Sequence, residues 1–247
     1  MTAFLKIDDC TSCQRTLPWE WTPAIFFGGK PLAGTGVWGS QLMDGLCPAC
    51  LAAEEARRET ERRTLTIRQA LTQLLGGEKA CREFTFERYK VAPGNQRAYE
   101  RSKNFNPAAD NLYLWGPCGV GKTHLAYAVA RQCFEESVTV TVLPAYQISR
   151  RFRMKDPQQE QAGIDELALV EVLVLDDLGV GPDTAFSRQI LQEFLDARDF
   201  RDRAGLVITS KYSLADLAAK LNEDTIPSRI AGMCQVVEVG GIDHRIG

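Results

Sequence analysis

The chain has 247 residues, of which 45% are apolar and 25% are charged, and its formal net charge is −3. These values predict a globular protein with room for one sizeable domain and a small one, and they exclude nucleic-acid binding through overall charge. No apolar run approaches the roughly 20 residues of a membrane span and no signal peptide is recognisable, so we expect no membrane association and a cytoplasmic location.

Two C-x-x-C motifs lie in the first fifty residues, Cys10 with Cys13 and Cys47 with Cys50. Thiols stay reduced in the cytoplasm, so we expect the eight cysteines to bind a metal, pack in a core or take part in chemistry rather than form disulfides. Paired C-x-x-C motifs bring four thiolates within reach of one tetrahedral Zn²⁺. We therefore predict a zinc-binding, partner-docking module at residues 1–50, with four unligated packing cysteines as the alternative.

Residues 51–83 are predicted to form a helical linker. The pairs Glu54/Arg58 and Glu59/Arg63 place an acid four residues before a base, which favours a helix. One apolar side is expected at Leu65, Ile67, Leu71, Leu74 and Leu75, and Gly76-Gly77 ends the helix. A solvated linker and a partner-binding helix both remain possible functions.

The third predicted unit, residues 84–247, begins with a segment that precedes the first strand of the main sheet. Tyr89 and Val91 in this segment are candidates to wall a base bound at the glycine-rich motif described next. A helix is predicted from Arg97 to Phe105.

The motif G-x-x-x-x-G-K-T follows a predicted strand at 111–115 and leads into a predicted helix that begins near His124. Its residues are Gly116, Pro117, Cys118, Gly119, Val120, Gly121, Lys122 and Thr123. Glycines let backbone N–H groups approach an anion, and the helix N-terminus adds unpaired donors. Lys122 would reach the β- and γ-phosphates of ATP and Thr123 would ligate Mg²⁺. A chance glycine-rich turn is the alternative. Cys118, at a helix N-terminus, is a candidate for oxidation.

Asp176 and Asp177 end an apolar strand that begins near Val170. The carboxyl ends of parallel strands form the ligand crevice of a doubly wound sheet. Asp176 would hold Mg²⁺ through water, and Asp177 would polarise the attacking water. Asp is shorter than the Glu that is common at the second position of P-loop ATPases, so we expect slow hydrolysis.

Further strands are predicted at 138–143, 205–211 and 235–239, and helices at 145–155 and 185–203. Five strands that alternate with helices predict an α/β doubly wound parallel sheet. The helix at 145–155 carries a basic cluster of Arg150, Arg151, Arg153 and Lys155. That cluster is interpreted either as a contact for single-stranded DNA or a partner, or as a solvated surface.

Several motifs together resemble AAA+ ATPases of the DnaC/DnaI helicase-loader and IstB clade. They are Gly116–Thr123 with His124 after it, Asp176-Asp177-Leu178-Gly179, Ile208-Thr209-Ser210-Lys211, Pro227-Ser228-Arg229 and Gly241-Ile242-Asp243-His244-Arg245. The resemblance covers residues from about 84 to the end. It implies a P-loop AAA+ core with a reduced or absent lid, and a preceding zinc module is similar to the DnaI type of loader.

The resemblance also implies roles for individual residues. Arg229 would be an arginine finger that reaches the γ-phosphate bound to a neighbouring subunit, and Arg245 a sensor within its own subunit. Lys211 stands where the clade usually has an Asn that orients the lytic water. Hydrolysis is therefore expected to be slow, or Ser210 acts as the sensor instead.

The function implied is that of an ATP-dependent helicase loader. Its zinc module would hold a hexameric replicative helicase, and its ATPase domains would self-associate through their ATP sites around single-stranded DNA. The alternatives are an IstB-like transposition helper ATPase on duplex DNA and an adaptor that is locked by nucleotide with little hydrolysis. A small-molecule P-loop kinase is a further alternative, but it needs a lid and an acceptor pocket that the sequence does not indicate.

Overall fold

The computed structural model describes residues 7–18, 20–23, 26–27, 30–31, 36–39, 46–152, 156–181 and 183–243. The chain divides into two units, residues 1–66 and 67–247. Among the described residues no helix is both long and apolar enough to cross a bilayer.

Short antiparallel strand pairs build the described part of the first unit. β1 (Ile7–Asp9) pairs with β2 (Thr16–Pro18), β3 (Glu20–Pro23) pairs with β6 (Gly36–Gly39), and β4 (Phe26–Phe27) pairs with β5 (Lys30–Pro31). Strands of two to four residues are too short to be stable as isolated hairpins. A unit of this kind needs an additional cross-link such as a metal.

The predicted linker is helical, but its helix starts earlier than predicted. α1 (Pro48–Leu74) begins with proline, which suits the first helical position because its missing N–H would be unpaired there. Arg58 pairs with Glu54 at 3.0 Å as predicted, whereas Glu59 pairs with Arg62 at 3.1 Å, and the side chain of Arg63 lies outside the described residues.

The apolar side of α1 is shorter than predicted. Leu71 and Leu75 are buried in the core of the second unit, whereas Leu65 and Ile67 are exposed. The error arose because the spacing of apolar residues within a helix does not indicate where that helix first meets other apolar residues.

The second unit is built on a five-stranded parallel sheet, as predicted. Its strands are β7 (Asn111–Trp115), β8 (Val140–Pro144), β9 (Val172–Leu178), β10 (Leu206–Ser210) and β11 (Gln235–Glu238). Their order across the sheet is β11-β7-β10-β9-β8. All five lie within two residues of their predicted bounds, which confirms the α/β fold class.

Eight helices accompany these strands in the described part of the second unit. They are α2 (Glu78–Glu83), α3 (Gln96–Lys103), α4 (Lys122–Glu135), α5 (Ala145–Phe152), α6 (Pro157–Leu169), α7 (Ala185–Phe200), α8 (Leu214–Leu221) and α9 (Thr225–Met233), with a short 3₁₀ turn at Phe86–Arg88. The sequence analysis did not predict α6, α8 or α9. It also placed the ends of α3 and α7 two and three residues too late, and residues 153–155 lie outside the described range.

Successive residues of β7, an interior strand of the sheet, point into two different cores. Leu112 and Leu114 of β7 join the first core, which also contains Leu125 and Val129 of α4. Tyr113 joins the second core on the opposite face. Residues from α5 to α9 supply that second core. A sheet buried on both faces requires the continuous apolar strands that the sequence shows.

A fully buried arginine fixes the end of α7. The guanidinium of Arg198 donates to the carbonyl oxygens of Ala168 at 3.3 Å and Val170 at 2.8 Å, and also to that of Ala204. Burial lowers the pKa of Arg198 to about 10, which still leaves it charged at neutral pH. The side chain therefore joins the end of α6, the end of α7 and the start of β10.

Arg198→Met should destabilise the second unit by about 3 kcal/mol, because the carbonyl groups that it serves lose a charged donor inside the core. The exposed Arg203 provides the control, since Arg203→Met should change the free energy of unfolding by no more than about 0.5 kcal/mol. Urea unfolding measures both values. Equal stability of the two variants would contradict a structural role for Arg198.

Candidate nucleotide site

Three glycines shape the loop between β7 and α4. Gly116, Gly119 and Gly121 have φ angles of +151°, +77° and +97°, a region in which side-chain-bearing residues are strained. A Cβ on Gly121 would lie 2.7 Å from Cε2 of Tyr89, and a Cβ on Gly116 would overlap the carbonyl oxygen of Val239. The backbone path of this loop therefore requires glycine at these positions.

Lys122 opens α4 and is buried against the loop. Its ammonium donates to the carbonyl oxygens of Gly116 at 2.8 Å and Pro117 at 2.5 Å. These bonds hold the charge beside the backbone groups that would receive the phosphates, as the motif predicts. Val120 of the motif does not line the cavity, because the residue is buried in the first core.

Asp176 brings β9, β10 and α4 together at the carboxyl edge of the sheet. Its Oδ1 accepts hydrogen bonds from the hydroxyl groups of Thr123 at 3.0 Å and Thr209 at 2.6 Å. Burial raises the pKa of Asp176, and the hydrogen bond from Thr209 opposes that rise. The two residues predicted to hold Mg²⁺, Thr123 and Asp176, are thus in direct contact.

A β-bulge directs the second carboxylate elsewhere. Ile208 pairs with Leu175 and Ser210 pairs with Leu178, so Asp176 and Asp177 together face a single residue of β10. Asp177 takes a φ of +59°, and its N–H donates to the hydroxyl oxygen of Thr209 at 2.9 Å. The bulge leaves Asp177 exposed while Asp176 is buried.

A cavity of about 950 Å³ lies over this edge of the sheet. Its lining includes Cys118, Gly119, Gly121, Lys122, Thr123 and His124 of the loop and α4, Asp177 and Lys211 at the strand ends, and Lys79, Glu83, Phe84, Arg88, Tyr89 and Lys90 from the segment before β7. Five of the lining side chains are cationic and two are anionic. The cavity is therefore large enough for a nucleotide and has the charge that suits a polyphosphate.

Aromatic contacts hold the segment before β7 against the cavity. The rings of Tyr89 and Tyr99 stack at 5.7 Å between centroids, and Tyr89 meets His124 edge-on at 5.2 Å. Nε2 of His124 lies 2.7 Å from the carbonyl oxygen of Thr85. The prediction that Tyr89 borders the base fits this position. The prediction for Val91 does not, because Val91 is 49% exposed and is not among the lining residues.

The two candidate sensors have different surroundings. Lys211 is exposed, lines the cavity and has its Nζ 4.9 Å from the centre of the Tyr212 ring. Ser210 is buried, and its hydroxyl donates to the carbonyl oxygen of Leu178 at 2.8 Å. The structure therefore disfavours Ser210 as the sensor, since its hydroxyl is committed to the backbone.

Arg229 lies outside the cavity of its own chain. It is on α9 and forms ion pairs with Asp196 and Asp199 of α7, each at 2.7 Å. Arg245, the other predicted arginine, lies outside the described residues. Asp243, two positions earlier, is described, and its carboxylate lies where a Cβ on Gly119 would be.

The family model for IstB-like ATP binding proteins matches residues 42–246 of this chain. The chain belongs to the IstB-like ATP binding protein family. The family and its DnaC and DnaA relatives are ATP-binding AAA+ ATPases, which confirms both the resemblance and the ATPase class predicted from the sequence. It also disfavours the small-molecule kinase that the phosphate loop alone left open.

Relatives of this IstB-like protein include a protein of an insertion sequence and a helicase loader. An ATP-binding protein of insertion sequence IS21 from Pseudomonas aeruginosa is 26% identical over 152 residues, which cover 60% of this chain and 55% of the relative. The replicative helicase loader DnaC of Escherichia coli (strain K12) is 23% identical over 168 residues, which cover 64% of this chain and 68% of DnaC. The chain thus spans less than two thirds of the IS21 protein.

Solved structures support the AAA+ core fold of the IstB-like protein. The crystal structure of the DnaC helicase loader superposes with a TM-score of 0.55 at 24% identity, covering 66% of this chain and all of that one. At this identity the likeness establishes the fold and leaves the partners open.

The residues of the IstB-like protein also fit the metals predicted for it. The sulfur atoms of Cys10, Cys13, Cys47 and Cys50 all lie within 4.8 Å of one another, and those of Cys13 and Cys47 are 3.7 Å apart. Four sulfurs bonded to Zn²⁺ at about 2.3 Å would be about 3.8 Å apart in a tetrahedron. Hydrogen bonds from the backbone of Cys13 and Cys47 lower the pKa of Cys10 to about 6, which favours the thiolate. At the second site, the contact between Thr123 and Asp176 offers two oxygen ligands suited to Mg²⁺.

Sequence analysis missed two contacts of this IstB-like protein. The hydroxyl of Thr209 donates to the carboxylate of Asp176 and accepts from the backbone N–H of Asp177, and the carboxylate of Asp243 lies against the phosphate loop at Gly119. Both belong to motifs that carried the resemblance, so the signal was present, but neither residue was assigned a role.

Thr209→Val should weaken Mg²⁺-dependent ATP binding about 10- to 100-fold, because Asp176 loses the hydroxyl that orients it. Thr209→Ser keeps the hydroxyl and should stay within about threefold of the parent. Titration of Mg²⁺ at fixed ATP measures the difference in both binding and hydrolysis. Equal behaviour of the Val and Ser variants would show that the hydroxyl does not position Asp176.

Proposed function

We propose that this protein is an ATP-dependent loader of a hexameric replicative helicase. The observation that carries the proposal is the position of Arg229, which lies apart from the nucleotide cavity of its own chain. The cavity contains the residues expected to bind ATP, whereas Arg229 lies outside the cavity and is partly exposed. An ATPase that obtains its arginine from a neighbouring copy is active only when assembled, which suits a protein that acts on a ring-shaped partner.

Within one chain, the loop amides and Lys122 would bind the phosphates, and Thr123 with Asp176 would hold Mg²⁺. When bound, Mg²⁺ neutralises charge that develops on the phosphates. Exposed Asp177 would orient the attacking water and accept its proton, while Arg229 from the neighbour would stabilise the transferred group. Arg245 is proposed as the sensor in its own subunit, and His124 keeps the segment at 84–89 in place.

The rate of hydrolysis decides between a loader that turns over and an adaptor locked by nucleotide. Asp177 is a short carboxylate and Lys211 replaces the usual Asn, so we propose slow hydrolysis that a partner regulates. A single-turnover assay of Lys211→Asn should show faster phosphate release than the parent. If the parent releases no more phosphate than Asp177→Ala, the adaptor is the better description.

DNA contact is assigned to the basic end of α5. Ile148 and Phe152 are buried in the second core, whereas Arg150 and Arg151 face solvent, so their charges are available to a phosphate backbone. Arg153 and Lys155 of the predicted cluster lie outside the described residues. We propose single-stranded DNA as the ligand of this surface.

A transposition helper on duplex DNA is the second candidate. The match to the family model and to a protein of insertion sequence IS21 favours it. The cysteine cluster belongs to a separate unit, which favours the loader. An independent module can bind a partner while the ATPase unit associates with other copies of itself.

Capture of a purified hexameric replicative helicase, with and without ATP, tests the proposal. We expect capture that depends on ATP and that is lost in Cys47→Ser, a variant of the proposed docking module. ATP-dependent assembly on duplex DNA without helicase capture would instead establish the transposition helper. If the protein is a helicase loader, single-stranded DNA should displace bound duplex DNA. If it is a transposition helper, single-stranded DNA should not displace duplex DNA.

A further inference from the structure

The segment that follows β11 touches the phosphate loop at two points. We call this segment, residues 239–243, the tail strap. A Cβ on Gly116, the first residue of the loop, would overlap the carbonyl oxygen of Val239. A Cβ on Gly119, in the middle of the loop, would overlap the carboxylate of Asp243. The strap therefore lies against the loop at its first residue and again at its last.

Backbone contacts fix the path of the tail strap. The N–H of Val239 donates to the carbonyl oxygen of Trp115 at 2.7 Å, and the N–H of Gly240 donates to that of Gly94 at 2.9 Å. A Cβ on Gly94 would lie 3.2 Å from the carbonyl carbon of Gly240, so the two backbones are in close contact. Gly241 then takes a φ of +131°, which residues with side chains rarely adopt. This turn directs the end of the strap back to the loop.

The carboxylate of Asp243 has the same sign of charge as the phosphates of ATP. Gly119, which it contacts, lines the nucleotide cavity, and the loop amides are the groups expected to bind the phosphates. Asp243 is half-buried and is not among the lining residues, so its charge would act on the phosphates from beside the loop. Repulsion between partly buried like charges within about 8 Å lowers an affinity on the order of tenfold.

We propose that Asp243 restrains ATP binding in its own chain. The turn at Gly241 holds the carboxylate against the loop, where its charge opposes that of the phosphates. ATP binding is then tighter when the tail strap is drawn away from the loop, so the position of the strap and the affinity for nucleotide are coupled. The inference needs only ATP binding in the cavity, and it holds for a helicase loader and for a transposition helper alike.

Asp243→Asn, which keeps the shape of the side chain and removes its charge, should tighten ATP binding about tenfold. ADP has one phosphate fewer and should gain less than ATP. Asp202→Asn is the matched control, because Asp202 is exposed before β10 begins, whereas the cavity lies at the carboxyl ends of the strands. It should bind ATP like the parent.

Titration of both variants with fluorescent ATP and ADP analogues at low ionic strength measures these affinities. A rise to about 0.5 M salt should reduce the difference between Asp243→Asn and the parent, because salt screens a charge that is partly exposed. The midpoint of thermal unfolding should stay that of the parent. ATP binding by Asp243→Asn that equals the parent's or is weaker would overturn the proposal, since the carboxylate would then have no effect on the loop or would support it.

Gly241→Ala tests the turn in the tail strap. A Cβ on Gly241 would meet no atom closer than 3.9 Å, so the substitution strains only the backbone at this φ. We expect the strap to leave the loop and ATP to bind about threefold to tenfold tighter. Gly232→Ala in α9 is the control, because a Cβ there meets nothing within 4 Å and its φ lies outside the strained region, and it should bind ATP like the parent.

The double variant Asp243→Asn/Gly241→Ala shows whether the turn acts through the carboxylate. If it does, Gly241→Ala should add no more than about a twofold gain in ATP affinity once the charge of Asp243 has been removed. A gain from Gly241→Ala that is equally large with and without the carboxylate would overturn the coupling between the turn and Asp243.

Discussion

Lys122→Ala is expected to abolish ATP hydrolysis and to weaken ATP binding about 100-fold. The Lys122 ammonium is buried and held against the carbonyl oxygens of Gly116 and Pro117, so it occupies a defined position in the loop. Removal of a buried, charge-assisted donor to phosphate costs about 2–3 kcal/mol, which corresponds to this loss of affinity. Titration with a fluorescent ATP analogue and a phosphate-release assay measure the two effects.

Lys220→Ala is the control for Lys122→Ala, because Lys220 is exposed on α8 and lies outside the nucleotide cavity. It should bind and hydrolyse ATP like the parent. The midpoint of thermal unfolding of Lys122→Ala should fall by only about 2–4 °C, since the lost bonds contribute about 1 kcal/mol to stability. Retained hydrolysis in a folded Lys122→Ala protein would contradict the assignment of the phosphate site.

Removal of zinc should have the second large effect, confined to the first unit. We expect one equivalent of zinc per chain, released by a strong chelator. Structural zinc contributes on the order of 10 kcal/mol in small metal-stabilised folds, and the strands β1 to β6 have two to four residues each. Backbone amides of residues 7–18 and 46–50 should therefore lose hydrogen-exchange protection, whereas those of β7, β9 and β10 should keep it.

Cys47→Ser should reproduce the effect of the chelator, because Cys47 is buried between Cys10 and Cys13 in the cluster. Cys118→Ser supplies a comparison, since Cys118 is exposed on the phosphate loop and is not one of the four clustered cysteines. It should retain the full equivalent of metal. A parent protein with no bound zinc when purified in its presence would refute the site.

The parts of the fold that were predictable are those fixed by local pattern. The strand that ends at Trp115, the glycine loop and the helix from Lys122 are contiguous, and each has a backbone geometry that few residue types permit. The apolar run before Asp176 likewise predicted a strand that is buried on both faces. Such features depend on neighbours within a few residues, so one sequence contains the necessary information.

The contacts that were not predictable join residues far apart in the chain. Asp196 and Asp199 are ordinary exposed acids on a helix until α9 brings Arg229 beside them. Arg198 looks like another surface arginine because its carbonyl partners carry no side-chain signal. The bulge at Asp177 depends on the register between β9 and β10, which no periodicity within either strand specifies.

The position of β7 in the sheet has a consequence for synthesis on the ribosome. Its neighbours are β10 and β11, so Leu112 can pair with Val207 on one side and with Gln235 on the other only after those residues have been synthesised. At about 5–20 residues per second, the roughly 120 residues between β7 and β11 take roughly 6–24 s to translate. The apolar segment Asn111–Trp115 has neither edge paired until β10 has been made, and one edge stays unpaired until β11 follows. Long-range parallel pairing is itself slow. The nascent chain is thus exposed to aggregation while about half of its residues are synthesised.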